Sequence, residues 1–439
     1  MNDVVANYEG DHAPAHEYAG ENGEWTTLSR HDLLRAVQSS AQGWREAGLQ
    51  AGDRVAVEAT DPHIFVPAFL GALWAGVVPV PVPPTAGSRA AWSTCVAAMA
   101  RAAQANAIAL RAGTEPPTGS GRPIVLDTVV AASPEKSDPY RPGPDETAYV
   151  QFSGGRTGNP RGIPARVGAV QAYGMAIMRD GLQSGPATDR GLSWLPLHHD
   201  MGLVGFVLAP LLVRVPVSFM PTRSFVRDPG LWLRAISERR ATISFAPNFA
   251  FDLSAHRISP EEAAALDLSH VYVLGCGAEP INNSVLQRFL NTFAPAGLNP
   301  EALTPCYGLT EATFAVTLSP ASRRYRTDHV QADALSAGHA TPIENVTATE
   351  GSDGVETLVS CGPPLRGHRI VIRDTTGATL GERAVGEIWV SGPSVAHAYL
   401  GADPEAHNSI GPDGWLRTGD LGYLADGELF VTSRVSEST

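Results

Sequence analysis

A glycine-rich segment is the first part of the sequence whose residues could do chemistry. SGGRTGNPRG (153–162) follows AYVQF (148–152), which is predicted to be a strand. A Gly-rich turn after a strand exposes backbone N–H groups that can surround phosphate oxygens. Thr157 could add a hydroxyl donor, and Arg156 or Arg161 a positive charge. The Gly-Lys-Ser/Thr ending of a P-loop does not follow, and a solvated basic loop could contain the same residues.

A second candidate is SWLPLHHDMGL (193–203), in which His198, His199 and Asp200 are consecutive. Adjacent side chains cannot easily converge on one metal ion, and the sequence shows no companion cluster of ligands. A metal-dependent hydrolase built on these three residues is therefore a remote alternative. Two interpretations stay open: a histidine with ordinary hydrogen bonds at the end of a strand, or a histidine that faces a substrate.

Three further segments combine glycines with polar residues: GCGAEPI (275–281), CYGLTEAT (306–313) and WLRTGDLGYL (415–424). The first begins like a dinucleotide-binding fingerprint but has no third glycine. In the second, an aromatic ring beside glycine suits stacking on a purine, and the Thr-Glu pair suits a phosphate oxygen and a magnesium ion. In the third, Asp420 could accept hydrogen bonds from both hydroxyls of a ribose. Each segment alone could be a turn without a ligand.

The elements that must position these residues alternate between short apolar strands and helical segments. Strands are predicted at 54–59, 77–82, 123–127, 192–196, 242–247 and 271–277, and helices at 65–75 and 92–107. This alternation predicts βαβ units and parallel sheets, hence an α/β fold. After about Leu358, short strands separated by Gly, Pro and Asp turns predict an antiparallel, barrel-like segment.

Composition narrows the functional classes. The 439 residues carry a net charge of -13, with 43% hydrophobic and 18% charged residues, which is typical of a soluble globular protein. Clustered Lys and Arg for phosphate backbones are not evident, so no nucleic-acid partner is predicted. The four cysteines are scattered, which argues against a disulfide framework or a zinc site and favours a cytoplasmic location. The N-terminus does not resemble a signal peptide.

One uncharged stretch, residues 65–84, is long enough to span a membrane. Gly76 and the four prolines from Pro79 to Pro84 divide it, because proline and glycine interrupt helices. We therefore predict a buried helix followed by a buried strand, and no membrane span.

The order of the motifs identifies a family. A phosphate loop, a YGxTE segment and a TGD segment in this order closely resemble the adenylate-forming superfamily of acyl-CoA synthetases, peptide-synthetase adenylation domains and luciferases. SWLPLHHDMGLVG, CGAEPI, YGLTEATFAVT, LVSCGPPL and GEIWVSGPSVAHAYL resemble the fatty acyl-AMP ligase branch. The resemblance covers about residues 27–434.

The resemblance implies the large N-terminal region of the adenylate-forming fold. Its expected parts are a first α/β subdomain with the phosphate loop (1–190), a second with the adenine and magnesium motifs (191–357), a barrel-like subdomain (358–434) and a truncated hinge (435–439). Residues 319–356 match by position the insertion that marks fatty acyl-AMP ligases. The small C-terminal domain, which carries a lysine that promotes adenylation, would be absent, so we expect low activity of this chain alone.

The resemblance also implies a reaction and its ligands. Enzymes of this family bind ATP, magnesium and a carboxylic acid, here a fatty or other hydrophobic acid, and form an acyl-adenylate. The roles implied are adenine stacking for Tyr307, contact with the α-phosphate for Thr310, magnesium binding for Glu311, and proximity to the reacting carboxylate for His199. Further nucleotide-binding residues implied are Thr157, Gly158, Arg161, Gly277, Ala278, Glu279, Gly308, Asp420 and Arg434, and further substrate-site residues are Asp200 and Gly202.

The resemblance implies a carrier-protein thiol or coenzyme A as the acceptor of the acyl group. In the family, the insertion is thought to hinder the conformation that coenzyme A requires, so the resemblance favours a carrier protein. The phosphate loop departs from the usual TSGSTGxPKG, with Gly154 and Arg156 at hydroxyl positions and Arg161 in place of lysine. Arginine and lysine are not equivalent at phosphate, and we hypothesise weak binding of triphosphate. A coenzyme A ligase acting on a preformed adenylate, or a non-catalytic acyl or adenylate sensor, are the alternatives.

Overall fold

The computed structural model describes residues 1–20, 23–153, 160–321, 323–343, 354–401, 409–411 and 413–435. In chain order the strands are β1 (Pro14–Ala19), β2 (Trp25–Ser29), β3 (Arg54–Glu58), β4 (Val78–Val82), β5 (Ala107–Leu110), β6 (Arg122–Val125), β7 (Thr147–Ser153), β8 (Arg161–Arg166), β9 (Gly191–Ser193), β10 (Val217–Phe219), β11 (Ile243–Ala246), β12 (Val273–Cys276), β13 (Leu303–Gly308), β14 (Ala315–Leu318), β15 (Thr327–Gln331), β16 (Val355–Val359), β17 (Arg369–Arg373), β18 (Gly386–Ser391), β19 (Leu416–Ala425) and β20 (Glu428–Arg434).

The α-helices are α1 (Asn2–Ala6), α2 (Arg30–Glu46), α3 (Pro62–Ala75), α4 (Arg89–Ala102), α5 (Leu126–Val130), α6 (Val167–Met175), α7 (Asp200–Leu203), α8 (Ala209–Val213), α9 (Thr222–Arg227), α10 (Gly230–Arg239), α11 (Asn248–Arg257), α12 (Pro260–Ala265), α13 (Asn283–Phe293) and α14 (Ala332–Ser336). Two π-helical segments, Ala176–Gly181 and Val204–Leu208, extend α6 and α7. Three short 3-10 turns occur at Ala294–Ala296, Pro300–Ala302 and Thr310–Ala312.

Two sheets contain the predicted parallel strands. The larger has eight strands in the order β14-β13-β12-β11-β9-β10-β1-β2, and the smaller has four in the order β4-β3-β5-β6. All pairs within the smaller sheet are parallel, as are the pairs from β13 to β1 in the larger one. The α/β fold predicted from the alternation of strands and helices is confirmed. The predicted subdomain boundaries stay predictions.

The uncharged stretch 65–84 forms the buried helix and strand predicted from its prolines. Helix α3 ends at Gly76, which adopts φ 79° in the left-handed region, and β4 follows in the smaller sheet. Helix α2 begins at Ser29 with a reciprocal cap from Asp32 and packs on α3, where the Trp44 Nε1–H donates to the Ala68 carbonyl at 2.9 Å. Among the residues that the structure describes, no helix is both long and apolar enough to cross a membrane.

The segment after Leu358 is antiparallel, as predicted, but it is not a barrel. Strands β17-β18-β19-β20 form an open sheet in the described part of the chain. The physical reason is visible at the outer edge of β20: Cys361 donates to the Leu429 carbonyl, and Leu429 donates to the Gly362 carbonyl. Because this segment occupies the edge of β20, β17 cannot pair there to close a barrel.

Candidate active site

The candidate residues lie at the carboxyl ends of neighbouring parallel strands. His199 and Asp200 follow β9, Gly277 to Glu279 follow β12, and Thr310 and Glu311 follow β13. Parallel strands end at one edge of a sheet, where ligands of α/β proteins usually bind. Residues separated by more than a hundred positions therefore meet in a single site.

Asp200 links the segment that follows β9 to the segment that follows β13. Its carboxylate is buried, and Oδ2 accepts a hydrogen bond from the Thr310 hydroxyl at 2.7 Å. Oδ1 accepts from the Met201 N–H at 2.7 Å and lies 2.8 Å from His199 Nδ1. Burial would raise the pKa of Asp200, but the hydrogen bonds from His199, Thr310 and Met201 outweigh it and lower the pKa. The carboxylate is therefore ionised and holds its neighbours in place.

The two adjacent histidines have different environments. Half of the His199 side chain is exposed. Desolvation by the surrounding protein alone would lower the pKa of His199, but the hydrogen bond and the charge of Asp200 raise it above its usual value. Burial, together with the neighbouring His199, lowers the pKa of His198 to about 4. Within the described part of the chain, His198 Nδ1 has no hydrogen-bond partner, and the His198 backbone carbonyl accepts from Gln151 Nε2 at 2.6 Å. His199 is thus the one of the two that can meet a substrate.

Glu311 faces a small polar cavity lined in part by Gln151, Arg166 and Ser394. Burial raises the pKa of Glu311, while the Tyr399 hydroxyl, which donates to Oε1 at 3.2 Å, opposes that change. Gln151 Oε1 is buried in this region, and among the described residues, which exclude 154–159, it has no hydrogen-bond partner. A carboxylate beside an unsatisfied oxygen fits a magnesium ion that retains phosphate and water ligands. Among the described residues, no cluster of three His, Cys, Asp or Glu forms a self-contained metal site.

A second cluster joins the larger sheet to the antiparallel sheet. The Tyr307 hydroxyl on β13 donates to Asp420 Oδ2 at 2.7 Å, and Arg434 Nε donates to Asp420 Oδ1 at 2.7 Å. Burial and the charge of Asp420 raise the pKa of Tyr307 well above its usual value. The structure thus brings together three residues that the sequence assigned to the nucleoside.

Close packing explains why glycine occupies several of the candidate positions. A Cβ on Gly277 would lie 2.7 Å from Cys306 Sγ, and one on Gly308 or Gly202 would overlap a neighbouring carbonyl. Ala278 has φ 69°, in the left-handed region, and strain of this kind is frequent at ligand sites. Glu279 Oε1 accepts from the Phe249 N–H, which fixes the turn. Whether these residues line an adenine pocket stays a prediction.

The phosphate loop is only partly described. Thr157 and Gly158, together with the unusual Gly154 and Arg156, lie outside the described residues. Arg161 begins β8 and pairs with Ser153 across the β7–β8 hairpin. Its charge lowers the pKa of Glu311, although burial of Glu311 has the larger, opposite effect.

Tyr399, Gln151 and Ser394 are site residues that the sequence reasoning missed. Tyr399 and Ser394 occur in GEIWVSGPSVAHAYL, and Gln151 lies in the strand before the phosphate loop. Their proximity to motifs was the available signal, but no residue type or spacing assigned them a role.

A small apolar cavity lies beside β9 and β11 of the larger sheet. It is lined entirely by apolar side chains and glycines: Ile177, Met178, Leu182, Gly191, Gly205, Phe206, Pro210, Val215, Ile243, Phe245 and Phe314. Phe314 lies three residues after Glu311 and contacts the Phe245 ring, with the centroids 6.3 Å apart. The cavity thus lies in the core of the larger sheet, and among the described residues its lining shares none with the polar cavity.

Fold and site together define an adenylate-forming enzyme. The chain belongs to the AMP-binding enzyme family, whose model matches residues 3–400. It is 37% identical over 397 residues to a putative acyl-CoA synthetase of Caulobacter vibrioides, covering 89% of this chain and 68% of that protein. It is 35% identical over 412 residues to the long-chain-fatty-acid–AMP ligase FadD26 of Mycobacterium tuberculosis, covering 88% and 69%.

A solved structure supports the same branch. A fatty acyl-adenylate ligase from work on the E. coli and L. pneumophila enzymes superposes with a TM-score of 0.89 at 33% identity, covering 99% of this chain and 78% of that one. The similarity to fatty acyl-AMP ligases predicted from the motifs is confirmed.

Proposed function

We propose that this protein activates a hydrophobic carboxylic acid with ATP, forming an acyl-adenylate whose acyl group passes to a carrier-protein thiol. The observation that carries the proposal is the Asp200 carboxylate, which holds both His199 and Thr310. These side chains have the implied roles of facing the reacting carboxylate and the α-phosphate. Because Asp200 fixes the distance between His199 and Thr310, the arrangement supports in-line attack of the carboxylate on the α-phosphate.

In the proposed step, a carboxylate oxygen of the acid bonds to the α-phosphorus and the bond from that phosphorus to the bridging oxygen breaks. Pyrophosphate leaves with the electron pair, and an acyl-adenylate remains. Charge accumulates on the phosphate oxygens, and preorganised donors stabilise such charge. The Thr310 hydroxyl, the His199 imidazole with its raised pKa and the Arg161 guanidinium would provide them. A magnesium ion bound at Glu311 would add positive charge at the same oxygens.

The similarity to long-chain-fatty-acid–AMP ligases supports an aliphatic or aromatic acyl group as the substrate, and the small apolar cavity would have to widen to hold one. Its lining contains no charged side chain, so burial of methylene groups would be favourable by about 0.8 kcal/mol each. A charged or strongly polar acyl chain would lose its hydration without compensation.

The described part of the insertion supports a carrier protein as acceptor. Asp328 on β15 accepts from Arg383 Nη1 at 2.8 Å and from the Tyr423 hydroxyl at 2.7 Å. Val330 packs with Tyr423 and Phe430 in a buried cluster. The described part of the insertion is therefore fixed to the antiparallel sheet, as expected if the insertion limits the conformation that coenzyme A requires. The similarity to a putative acyl-CoA synthetase favours coenzyme A as the second candidate.

Calorimetry on this chain with two ligands tests the proposal. Mg-ATP reports on triphosphate binding, and a non-hydrolysable acyl-sulfamoyl-adenosine with several acyl groups reports on the adenylate pocket. Binding of both, with affinity rising with acyl length, is expected. Binding of the mimic alone would instead favour an enzyme that acts on a preformed adenylate, and binding of neither would refute the proposal. Incubation of the product with a holo-carrier protein or with coenzyme A then identifies the acceptor.

A further inference from the structure

A buried histidine and serine contact the Thr310–Ala312 turn from the antiparallel sheet. His368 precedes β17 and Ser394 follows β18, and both are almost fully buried. His368 Nε2 lies 2.6 Å from Ser394 Oγ, which donates to the Ala312 carbonyl at 2.8 Å. Ser394 lines the polar cavity that Glu311 faces, but neither residue has been given a role in binding a ligand.

The chemistry of these contacts fixes the direction of each hydrogen bond. A carbonyl can only accept, so the single proton of the Ser394 hydroxyl must go to Ala312. Ser394 Oγ therefore accepts from His368, and the proton of the imidazole is on Nε2. Burial lowers the pKa of His368, so the ring is neutral. Among the described residues Nδ1 has no hydrogen bond of normal geometry, and the neighbouring carbonyls of Leu365 and Arg366 oppose the effect of burial on the pKa of His368.

The same short segment restrains the turn at further points. The Ala396 N–H donates to the Glu311 carbonyl at 2.7 Å, and the Thr313 hydroxyl donates to the Ser394 carbonyl at 2.8 Å. Thr313 has φ 76°, a strained conformation for a β-branched residue that persists only where surrounding bonds enforce it. The Thr310–Ala312 turn is thus held in its conformation from the antiparallel sheet.

The slot for the His368 ring is close-fitting. A Cβ built on Gly392 would overlap the imidazole. Gly392 lies opposite His368 because β17 and β18 pair with Arg369 facing Ser391. A side chain at position 392 would displace the ring, which provides a way to perturb the contact without altering either of its partners.

We propose that His368 is a positioning residue for adenylate formation: through Ser394 it fixes the Ala312 carbonyl and, with it, the turn that presents Thr310 and Glu311. This inference rests on the proposed function of those two residues. His368 itself does not touch a substrate. Its effect should appear in the step that uses the triphosphate and not in the binding of the acid.

Kinetics of pyrophosphate release by the full chain test the proposal. His368→Leu and Ser394→Ala should each lower kcat/KM for Mg-ATP about tenfold, with KM for the fatty acid within about twofold of wild type. The two effects should not be additive in the double variant, because each substitution interrupts the same hydrogen-bond relay from His368 through Ser394 to Ala312. His368→Gln, which can place an N–H near Nε2, should restore most of the activity, and Gly392→Ala should behave like His368→Leu.

A matched control is His16→Leu. His16 is also a buried histidine bonded to a hydroxyl, that of Tyr18 at 3.1 Å, but it lies on β1, at the far side of the larger sheet. Its substitution should lower stability without altering the ratio of the two KM values. Equal losses for ATP and acid in His368→Leu, or no rescue by glutamine, would overturn the positioning role.

Nitrogen-15 NMR of the histidine rings separates this inference from the proposed function. The His368 signals, assigned by their loss in His368→Gln, should show a proton on Nε2, and Ser394→Ala should shift that resonance. A proton on Nδ1 would overturn the relay even in a fully active enzyme. If the wild type releases no pyrophosphate while the ring has the expected tautomer, the proposed function fails and the hydrogen-bond relay is retained.

Discussion

The two clusters of the site differ in how they are supported. The Asp200 cluster, with His199 and Thr310, lies between β9 and β13 of one sheet. The Tyr307–Asp420–Arg434 cluster joins β13 to β19 and β20 of a different sheet, and more than half of the Arg434 side chain is exposed. A contact within one packed sheet is fixed by the core, whereas a contact between sheets depends on how they dock. We infer that the reacting groups are more rigidly positioned than the nucleoside groups.

The largest expected effect is that of Asp200→Asn. The amide cannot hold both the Thr310 hydroxyl and a charged His199, so both groups lose their fixed position. We expect kcat for pyrophosphate release to fall about 100-fold, which corresponds to about 2.7 kcal/mol. Asp267→Asn, on a surface carboxylate paired with Arg240, is the matched control and should leave kcat unchanged. A loss below about threefold would show that the Asp200 cluster does not position the reactants.

Asp420→Asn should have an intermediate effect of a different kind. Asn retains one acceptor but loses the charge that Arg434 contacts, and a hydrogen bond to a charged group is typically worth about 1.5–3 kcal/mol. We expect KM for Mg-ATP to rise about tenfold with kcat within about threefold of wild type. The measurement is the same pyrophosphate assay at varied ATP. A fall in kcat with unchanged KM for Mg-ATP would show that the two clusters do not differ in the kinetic step that they affect.

The sequence predicted the strand ends better than the contacts between them. Motifs after β9, β12 and β13 could be read from local patterns, and parallel pairing then brings them together. The Asp200–Thr310 bond spans 110 residues, and no local pattern specifies it. The same is true of β1, which pairs in parallel with β10 through His16 and Val217, and of His368, which meets Ser394 only because β17 and β18 form an antiparallel pair.

A double variant sharpens the comparison directly. Among the described residues, Asp200 and Asp420 share no hydrogen-bond partner, and separated sites usually contribute additively within about 0.5 kcal/mol. The loss of kcat/KM in Asp200→Asn/Asp420→Asn should therefore equal the product of the two single losses. A clearly smaller loss would indicate that the clusters act as one unit through β13.

The smallest expected effect is a pH dependence that belongs to the first cluster alone. Desolvation alone would lower the pKa of His199. The hydrogen bond and the charge of Asp200 together outweigh it, so the pKa of His199 in the folded protein lies above the value of about 6.5 in an unfolded chain. The charged imidazole then stabilises the fold fully below about pH 6.5, and this contribution is lost as pH rises through the raised pKa. Because His199 is half-exposed, its size should be under about 1 kcal/mol.

Urea unfolding at pH 5.5, 7 and 9 measures this contribution as the difference in free energy of unfolding between wild type and His199→Gln. The difference should be largest at pH 5.5 and vanish by pH 9. The lowered pKa of Asp200 places its own titration on the acid side of this window, so the carboxylate stays charged throughout. Tyr307→Phe is the control from the second cluster: its difference from wild type should stay constant, because burial and the charge of Asp420 hold the Tyr307 pKa far above the range. If the difference in free energy of unfolding between wild type and His199→Gln is also independent of pH, the His199–Asp200 pair does not form in solution. The proposed rigidity of the first cluster would then depend on the Thr310–Asp200 hydrogen bond alone.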